Sequence, residues 1–291
     1  MNPNVSAIII AYNPNVGVLR NNILNILQSP FVKEVIVVDN SSTSQLDNFY
    51  DVERLTIISL GENKGIAAAQ NIGLRYVKES NVDFAILFDQ DSDIEESLIG
   101  KLVHGFNELT VSGYKMAAVG PRPYDLFEQK NMTPLIQREK KITDKWSFTK
   151  QIIASGKLID INALDIVGMM EEDLFIDGVD HEWCWRAGKL GYKIAIIDDA
   201  VMAHRLGDAR GKFIGVTYKI GSPIRLYYQF RNVIILCRRS YVPFYWKIRC
   251  LIGIVFRFSI FSAFRDDSAE RRNYMIKGFV DGLKNKKGII R

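Results

Sequence analysis

D-F-A-I-L-F-D-Q-D-S, Asp83 to Ser92, decides the fold. Phe84 to Phe88 is an apolar run of strand length, and it opens onto two carboxylates, Asp89 and Asp91, one residue apart. Upstream, V-S-A-I-I-I-A (Val5 to Ala11), E-V-I-V-V-D (Glu34 to Asp39) and L-T-I-I-S-L (Leu55 to Leu60) repeat the pattern. Between them, apolar residues recur at helical spacing from Val16 to Leu27 and from Gly65 to Val77. Downstream, the pattern predicts a helix over 94–109 and a fifth strand over Met116 to Gly120. Strands that are apolar throughout and alternate with helices form a parallel sheet covered on both faces. The expected fold is therefore a Rossmann-like α/β domain, whose ligands bind beyond the carboxyl ends of the strands. Tyr12-Asn13, Asp39-Asn40, Gly61 to Gly65 and Asp89 to Asp91 all fall at such ends, so polar groups converge on one edge from four places.

Length and composition bound the rest. The 291 residues suit one large domain or a domain with a tail, and 47% apolar with 24% charged residues is globular. Cys184, Cys237 and Cys250 show no CxxC spacing, which argues against a disulfide scaffold or a cysteine zinc site and fits a reducing compartment. Met1 to Asn4 puts no basic segment before the first apolar run, which argues against a cleaved secretory signal. The net charge of +5 divides unevenly. Residues 1–203 carry 19 Lys and Arg against 28 Asp and Glu, whereas residues 204–291 carry 19 against 5. An acidic front and a basic tail point to chemistry in front and an anionic partner behind. Residues 121–150 hold three of the eight prolines, have little periodicity and read as a loop.

The strand ends exclude familiar nucleotide sites. No GxGxxG follows the first strand and no GxxxxGK[ST] occurs, which argues against dinucleotide enzymes and P-loop NTPases. Asp89 and Asp91 can both turn toward one ion once the chain leaves the sheet. Two carboxylates leave positions on Mg2+ or Mn2+ for phosphate oxygens and water. An acidic turn ahead of a helix is the plainer reading of the same residues.

I-I-I-A-Y-N (Ile8 to Asn13), V-V-D-N-S-S (Val37 to Ser42), E-N-K-G-I-A-A-A-Q-N-I-G (Glu62 to Gly73) and D-Q-D (Asp89 to Asp91) resemble family 2 glycosyltransferases of the GT-A fold. F-D-Q-D-S and the later D-x-E-W-C-W-R resemble the bacterial rhamnosyltransferases within it. The resemblance covers roughly residues 4–232. It implies an inverting transfer of L-rhamnose from dTDP-rhamnose to a growing, lipid-linked cell-surface polysaccharide of O-antigen or capsule type. It also implies a donor-binding half over 1–120, an acceptor half over 121–215 and a helical basic tail over 216–291. Tyr12, Asn13, Asp39, Asn63, Lys64, Gly65, Asn71, Asp89 and Gln90 would bind the donor, with Asp39 facing the base N–H. Asp89, Asp91 and His204 would serve the metal.

On the acceptor side, L-F-I-D-G-V-D-H-E-W-C-W-R-A-G (Leu174 to Gly188) places Asp180 in register with the family's catalytic aspartate and Glu182 with the acid after it. The first acid of the family's pair is here Val179, and Asp177 stands close enough in sequence to supply that charge. Inverting transfer needs one base for the acceptor hydroxyl, and Asp180 is the choice. Ser155-Gly156 matches an acceptor-side Ser-Gly of the family. Trp183 and Trp185 either pack in the core or stack on sugar, and Arg186 can pair with one of the acids. In Y-Y-x-x-R-N (Tyr227 to Asn232), Arg231 either reaches the donor phosphates or packs the tail on the catalytic domain.

Within the tail, Ile248, Leu251, Ile252, Val255, Phe256 and Ser259 follow helical spacing, with Lys247, Arg249, Arg257 and Arg265 on the other half. These charges interrupt any span of ~20 apolar residues. The pattern predicts either a helix lying on an anionic membrane, with Tyr241, Tyr245 and Trp246 near the headgroups, or a surface that packs on the catalytic domain or forms a homodimer. The expected location is peripheral, on the cytoplasmic face of the bacterial inner membrane. A nucleic-acid partner is not expected, since no zinc or RNP-like motif accompanies the basic residues.

Overall fold

The computed structural model describes residues 3–46, 49, 51–125, 130–131, 139–204, 210–213, 216–219, 221–263 and 267–290. The front half alternates as the sequence pattern requires: β1 (Val5–Ala11), α1 (Val16–Leu27), β2 (Val32–Asp39), β3 (Leu55–Ser59), α2 (Ile66–Glu79), β4 (Phe84–Asp89), α3 (Ser97–Val111) and β5 (Met116–Asp125). Short strands β6 (Lys130–Asn131), β7 (Lys140–Lys141), β8 (Trp146–Thr149) and β9 (Lys157–Asp160) follow, then α4 (Ile161–Val167) and α5 (Val179–Lys189). After β10 (Lys193–His204) and the hairpin β11 (Arg210–Phe213) and β12 (Val216–Lys219) come α6 (Pro223–Cys237), α7 (Phe244–Ala263) and α8 (Ser268–Leu283).

The sheet runs β3-β2-β1-β4-β9-β5-β10-β8-β7. β1 to β4 are mutually parallel, as expected. β9 then enters antiparallel between β4 and β5, so the sheet is mixed and β5 does not touch β4. The chain makes this insertion at Ser155-Gly156, where the Gly156 N–H donates to the Leu87 carbonyl at 2.8 Å. Apolar residues pack on both faces. α1 and α3 cover one, through Ile23, Leu102 and Phe106. α2, α4, α5 and α6 cover the other, through Leu74, Leu164, Trp183 and Phe230.

Three expectations are corrected. α3 begins at Ser97, three residues later than the pattern predicts, so Asp93, Glu95 and Glu96 precede the helix. The stretch 121–150 is not simply a loop: β5 continues to Asp125, and β7 and β8 extend the sheet. Apolar periodicity fails there because a buried charge replaces it. Arg122 is 5% exposed and pairs with Glu139 at 2.8 Å and with Asp198. In the tail, Trp246 is buried against Trp185 with ring centroids 4.9 Å apart, and the Tyr241 hydroxyl donates to Glu182. Neither is free to sit among headgroups.

Candidate active site

The ends of β1, β2 and β4 are tied together by side chains that the turns expose. The Tyr12 N–H donates to Gln90 Oε1 at 2.7 Å, and Gln90 Nε2 donates back to the Tyr12 carbonyl. The Asn13 N–H donates to Ser41 Oγ, and the Ser41 N–H to Asp39 Oδ1. Asn40 Nδ2 donates to Asn63 Oδ1, which also accepts from the Gly65 N–H. The Lys64 N–H donates to Asn40 Oδ1. Gly65 caps α2 with φ 84°, and a Cβ there would lie 2.5 Å from the Phe175 ring. The close approach lets the Ile66 N–H reach the Phe175 carbonyl at 2.8 Å, which joins the loop before α2 to the loop before α5.

Beyond β4, Asp89 is pushed up to about 7, first by burial and then by the charges of Asp180 and Asp91, with Arg225 opposing them. Asp180 stands in the first turn of α5. Its Oδ1 is buried without a hydrogen-bond partner, 3.9 Å from the Nζ of the fully buried Lys157. Lys157 also donates to the Asp180 carbonyl at 3.2 Å. The charges of Asp91 and Asp180 thus both reach Asp89 at the end of β4. Among the described residues no three His, Cys, Asp or Glu side chains form a complete metal cage. Two carboxylates, Asp89 and Asp91, that leave coordination positions open at a strand end fit a divalent ion completed by phosphate oxygens and water.

The loop before Asp180 is strained. Phe175 has φ 64° and Asp177 φ 65°, left-handed values that non-glycine residues adopt only when the surroundings impose them. The surroundings are on α6. Asn232 Nδ2 lies within 2.9 Å of the carbonyls of Leu174, Ile176 and Asp177. Arg231 donates to the Asp173, Leu174 and Gly288 carbonyls. Tyr228 stacks on Phe175 at 4.7 Å, and Arg225 forks onto Asp177 at 2.8 and 3.0 Å.

Several expectations change with this geometry. Arg231 is fully buried and packs the tail on the loop, so it does not reach donor phosphates. Asn71 is also buried; its amide bonds the Met170 backbone and Glu172, which removes it from the donor contacts. Gln90 spends its amide on the Tyr12 backbone and holds the two strand ends together. Trp183 is core, with its N–H on the Gly168 carbonyl. Glu182 is fully buried among Arg186, Arg239 and Tyr241, so it supports the fold and has no access to an acceptor. Ser155 lies against Ser92 and the Asp89 N–H, on the carboxylate turn rather than on a separate acceptor wall. His204 ends β10, and its side chain lies outside the described residues. Sequence reasoning missed Lys157 and Arg225, and it marked Asn232 through the Y-Y-x-x-R-N pattern without its task. Lys157 directly follows the Ser155-Gly156 pair that was singled out, and Arg225 stands one turn and a half before Arg231 on the same helix.

A family model described as Glycosyl transferase family 2 matches residues 6–159. The dTDP-rhamnosyl transferase RfbF of Shigella flexneri is 34% identical over 297 residues, covering 98% of this chain and 97% of its own. Among solved structures, GalNAc-T7 with UDP, GalNAc and Mn2+ superposes with a TM-score of 0.60 at 13% identity, over 97% of this chain and 56% of that one. S. aureus TarS 1-349 in complex with UDP-GlcNAc superposes at 0.56 with 14% identity, over 96% of this chain and 81% of that one. At such identities these two report the fold alone, and this chain spans little more than half of the first. The sheet order, the strand-end carboxylates and the relatives agree: the chain has the GT-A fold and belongs to glycosyl transferase family 2.

Proposed function

We propose that the protein transfers L-rhamnose from dTDP-rhamnose, with inversion, to a hydroxyl of a growing lipid-linked cell-surface glycan of O-antigen or capsule type. The observation that carries the chemistry is that Asp89 at the end of β4 feels the charges of both Asp91 and Asp180, the latter with its Oδ1 buried without a hydrogen-bond partner. The relation to RfbF along nearly the whole of both chains supports the donor. In this reading Tyr12 and Asn13 border the nucleotide, and the partnerless Asp39 Oδ2 accepts the N–H of the thymine. The main chain at Asn63, Lys64 and Gly65, at the start of α2, faces the anionic part of the donor. Asp91 and Asp89 would hold Mg2+ or Mn2+, which supplies positive charge against the departing diphosphate. Asp180 takes the proton from the acceptor hydroxyl as its oxygen attacks the anomeric carbon and the bond to dTDP breaks. Lys157 keeps a positive charge beside that carboxylate, and Asp177 with Arg225 borders the same opening. In the same reading the lipid-linked acceptor is met by a peripheral enzyme on the cytoplasmic face of the inner membrane; no described helix is long and apolar enough to cross a membrane.

Hydrolysis of a panel of nucleotide sugars with Mn2+ present tests the donor. dTDP-rhamnose should be turned over at least about tenfold faster than UDP-GlcNAc, UDP-galactose or dTDP-glucose, a preference of roughly 1.4 kcal/mol. A preference for one of the other donors would leave the glycosyltransferase reading standing and remove rhamnose from it.

A further inference from the structure

Toward the C-terminal end of α5 lies a cavity of about 780 Å3, bounded by β8, the start of β10 and the turn between α6 and α7. Cys184, Trp185, Gly188 and Lys189 of α5 line it, whereas Asp89, Asp91 and Asp180 do not. It is therefore separate from the carboxylate site. Its rim carries Lys140, Lys150, Lys189, Lys193 and Lys247, and no Asp or Glu lines it among the described residues. None of the five is paired with a carboxylate among the described residues. Lys150 and Lys189 instead lie over the rings of Tyr245 and Tyr241 at 5.5 and 5.6 Å, and Lys247 donates to the Arg239 carbonyl. The floor is apolar: Phe148, Trp185 and Val242, with Phe244 at the mouth.

Phe244 is 76% exposed and begins α7. From it the helix shows Ile248, Leu251, Ile252, Val255 and Phe256 to the outside, while Trp246, Ile254 and Phe261 face the protein. The apolar strip is about 18 Å long at 1.5 Å per residue and starts at the cavity mouth. Exposed Arg249 and Arg257 accompany it. A soluble anion would fill the lysine rim and leave this strip in water. A ligand that is anionic at one end and apolar beyond it would cover both.

We propose that the cavity and the exposed face of α7 form one site for an anionic phospholipid of a bilayer surface, with the lipid phosphate among the rim lysines and acyl chains along Phe244, Ile252 and Val255. Charge and apolar contact act together here, the combination by which a helix lies in a membrane interface without crossing it. The site does not depend on which sugar the enzyme transfers.

The test uses the full chain with vesicles of phosphatidylcholine, with and without phosphatidylglycerol, in a flotation assay at low salt. The wild type should float only with the anionic vesicles. Lys140→Gln/Lys150→Gln/Lys189→Gln should weaken binding by about tenfold to a hundredfold. Lys33→Gln/Lys78→Gln/Lys101→Gln removes the same charge elsewhere and should change binding less than about threefold. Ile252→Ser/Val255→Ser should lose binding while, like the lysine variants, keeping wild-type donor hydrolysis, which reports an intact fold. Glycerol phosphate at millimolar concentration should not displace the vesicles. The proposal is overturned if the wild type ignores anionic vesicles, if the two lysine triples behave alike, or if glycerol phosphate competes fully. It is also overturned if light scattering shows a stable dimer that Ile252→Ser/Val255→Ser dissociates, since a second copy would then cover α7.

Discussion

Asp180 and Glu182 stand two residues apart on one helix and have opposite surroundings. Glu182 is fully buried and held by Arg186 at 2.9 Å, by Tyr241 at 2.6 Å and more loosely by Arg239 at 3.4 Å. Burial together with Glu182 pushes the Tyr241 phenol up to about 12, so it stays a donor at neutral pH. Asp180 keeps one oxygen unpartnered, which suits its proposed role as the proton acceptor. Asp180→Asn should therefore lower turnover by ~10²–10⁴-fold with donor affinity near wild type. Glu182→Gln should act on stability, with a loss of about 3 kcal/mol from the uncompensated arginines, and its surviving folded fraction should turn over normally. Rates normalised to folded protein separate the two, and a reversal of the pattern would move the base by two residues. Asp91→Asn should abolish transfer without lowering the melting temperature, and EDTA should do so reversibly; full activity after verified metal removal would refute the metal's role. The motif made both acids visible in the sequence. What divides them was not, because the partners that bury Glu182 lie 57 and 59 residues further along the chain. Lys157 went unseen for a similar reason: nothing local marks a lysine as buried.

At the scale of elements, α6 is a scaffold for the strained loop before Asp180, and α8 holds α6 in place. The contact is close. A Cβ on Gly278 would lie 2.3 Å from the Tyr227 carbonyl oxygen, whereas one on Gly253 in α7 would meet nothing within 4 Å. Gly278→Ala should force α8 away from α6 and cost about 1–3 kcal/mol. Because Tyr228, Arg231 and Asn232 sit on α6, the same change should reduce turnover although it lies outside the site. Gly253→Ala should raise stability by about 0.5–1 kcal/mol, the usual gain in a helix, and leave turnover alone. Thermal melts and donor hydrolysis on both variants check this; equal effects would mean that α8 is not what fixes α6. Helical spacing gave the α7 apolar strip correctly, since all its members are exposed, but spacing alone did not say which face the body covers. The Y-Y-x-x-R-N pattern likewise marked important residues while their task, bonding main-chain carbonyls, follows only from where the loop lies.

For the whole molecule, the sequence divides by charge into an acidic front and a basic back, yet the packing does not divide there. Leu226, Phe230, Ile234 and Trp246 belong to the same buried cluster as Ile8, Leu74 and Trp183. The parallel strands were legible because they are apolar at every position; the antiparallel β9 was not, because it is short and holds a buried lysine. The loop 172–178 is where the parts meet. Asn71 and Arg75 of α2 bind Glu172, Gly65 abuts Phe175, α6 bonds the carbonyls of Asp173, Leu174, Ile176 and Asp177, and the Gly288 N–H donates to the Asp173 carbonyl. Removing the helical tail would leave those carbonyls and the apolar surface beneath α6 exposed together, which costs more than a marginally stable domain can spare. The expectation is one cooperative calorimetric transition for the full chain, with no separate melting of 1–215 and 216–291. On the proposed function dTDP with Mn2+ would bind only the folded site, so it should raise that single transition as a whole, by an amount that grows with the logarithm of ligand concentration. Two transitions, only the first of them moved by dTDP, would show instead that the tail folds apart from the catalytic front and that the α6 bonds to the loop are too weak to couple them.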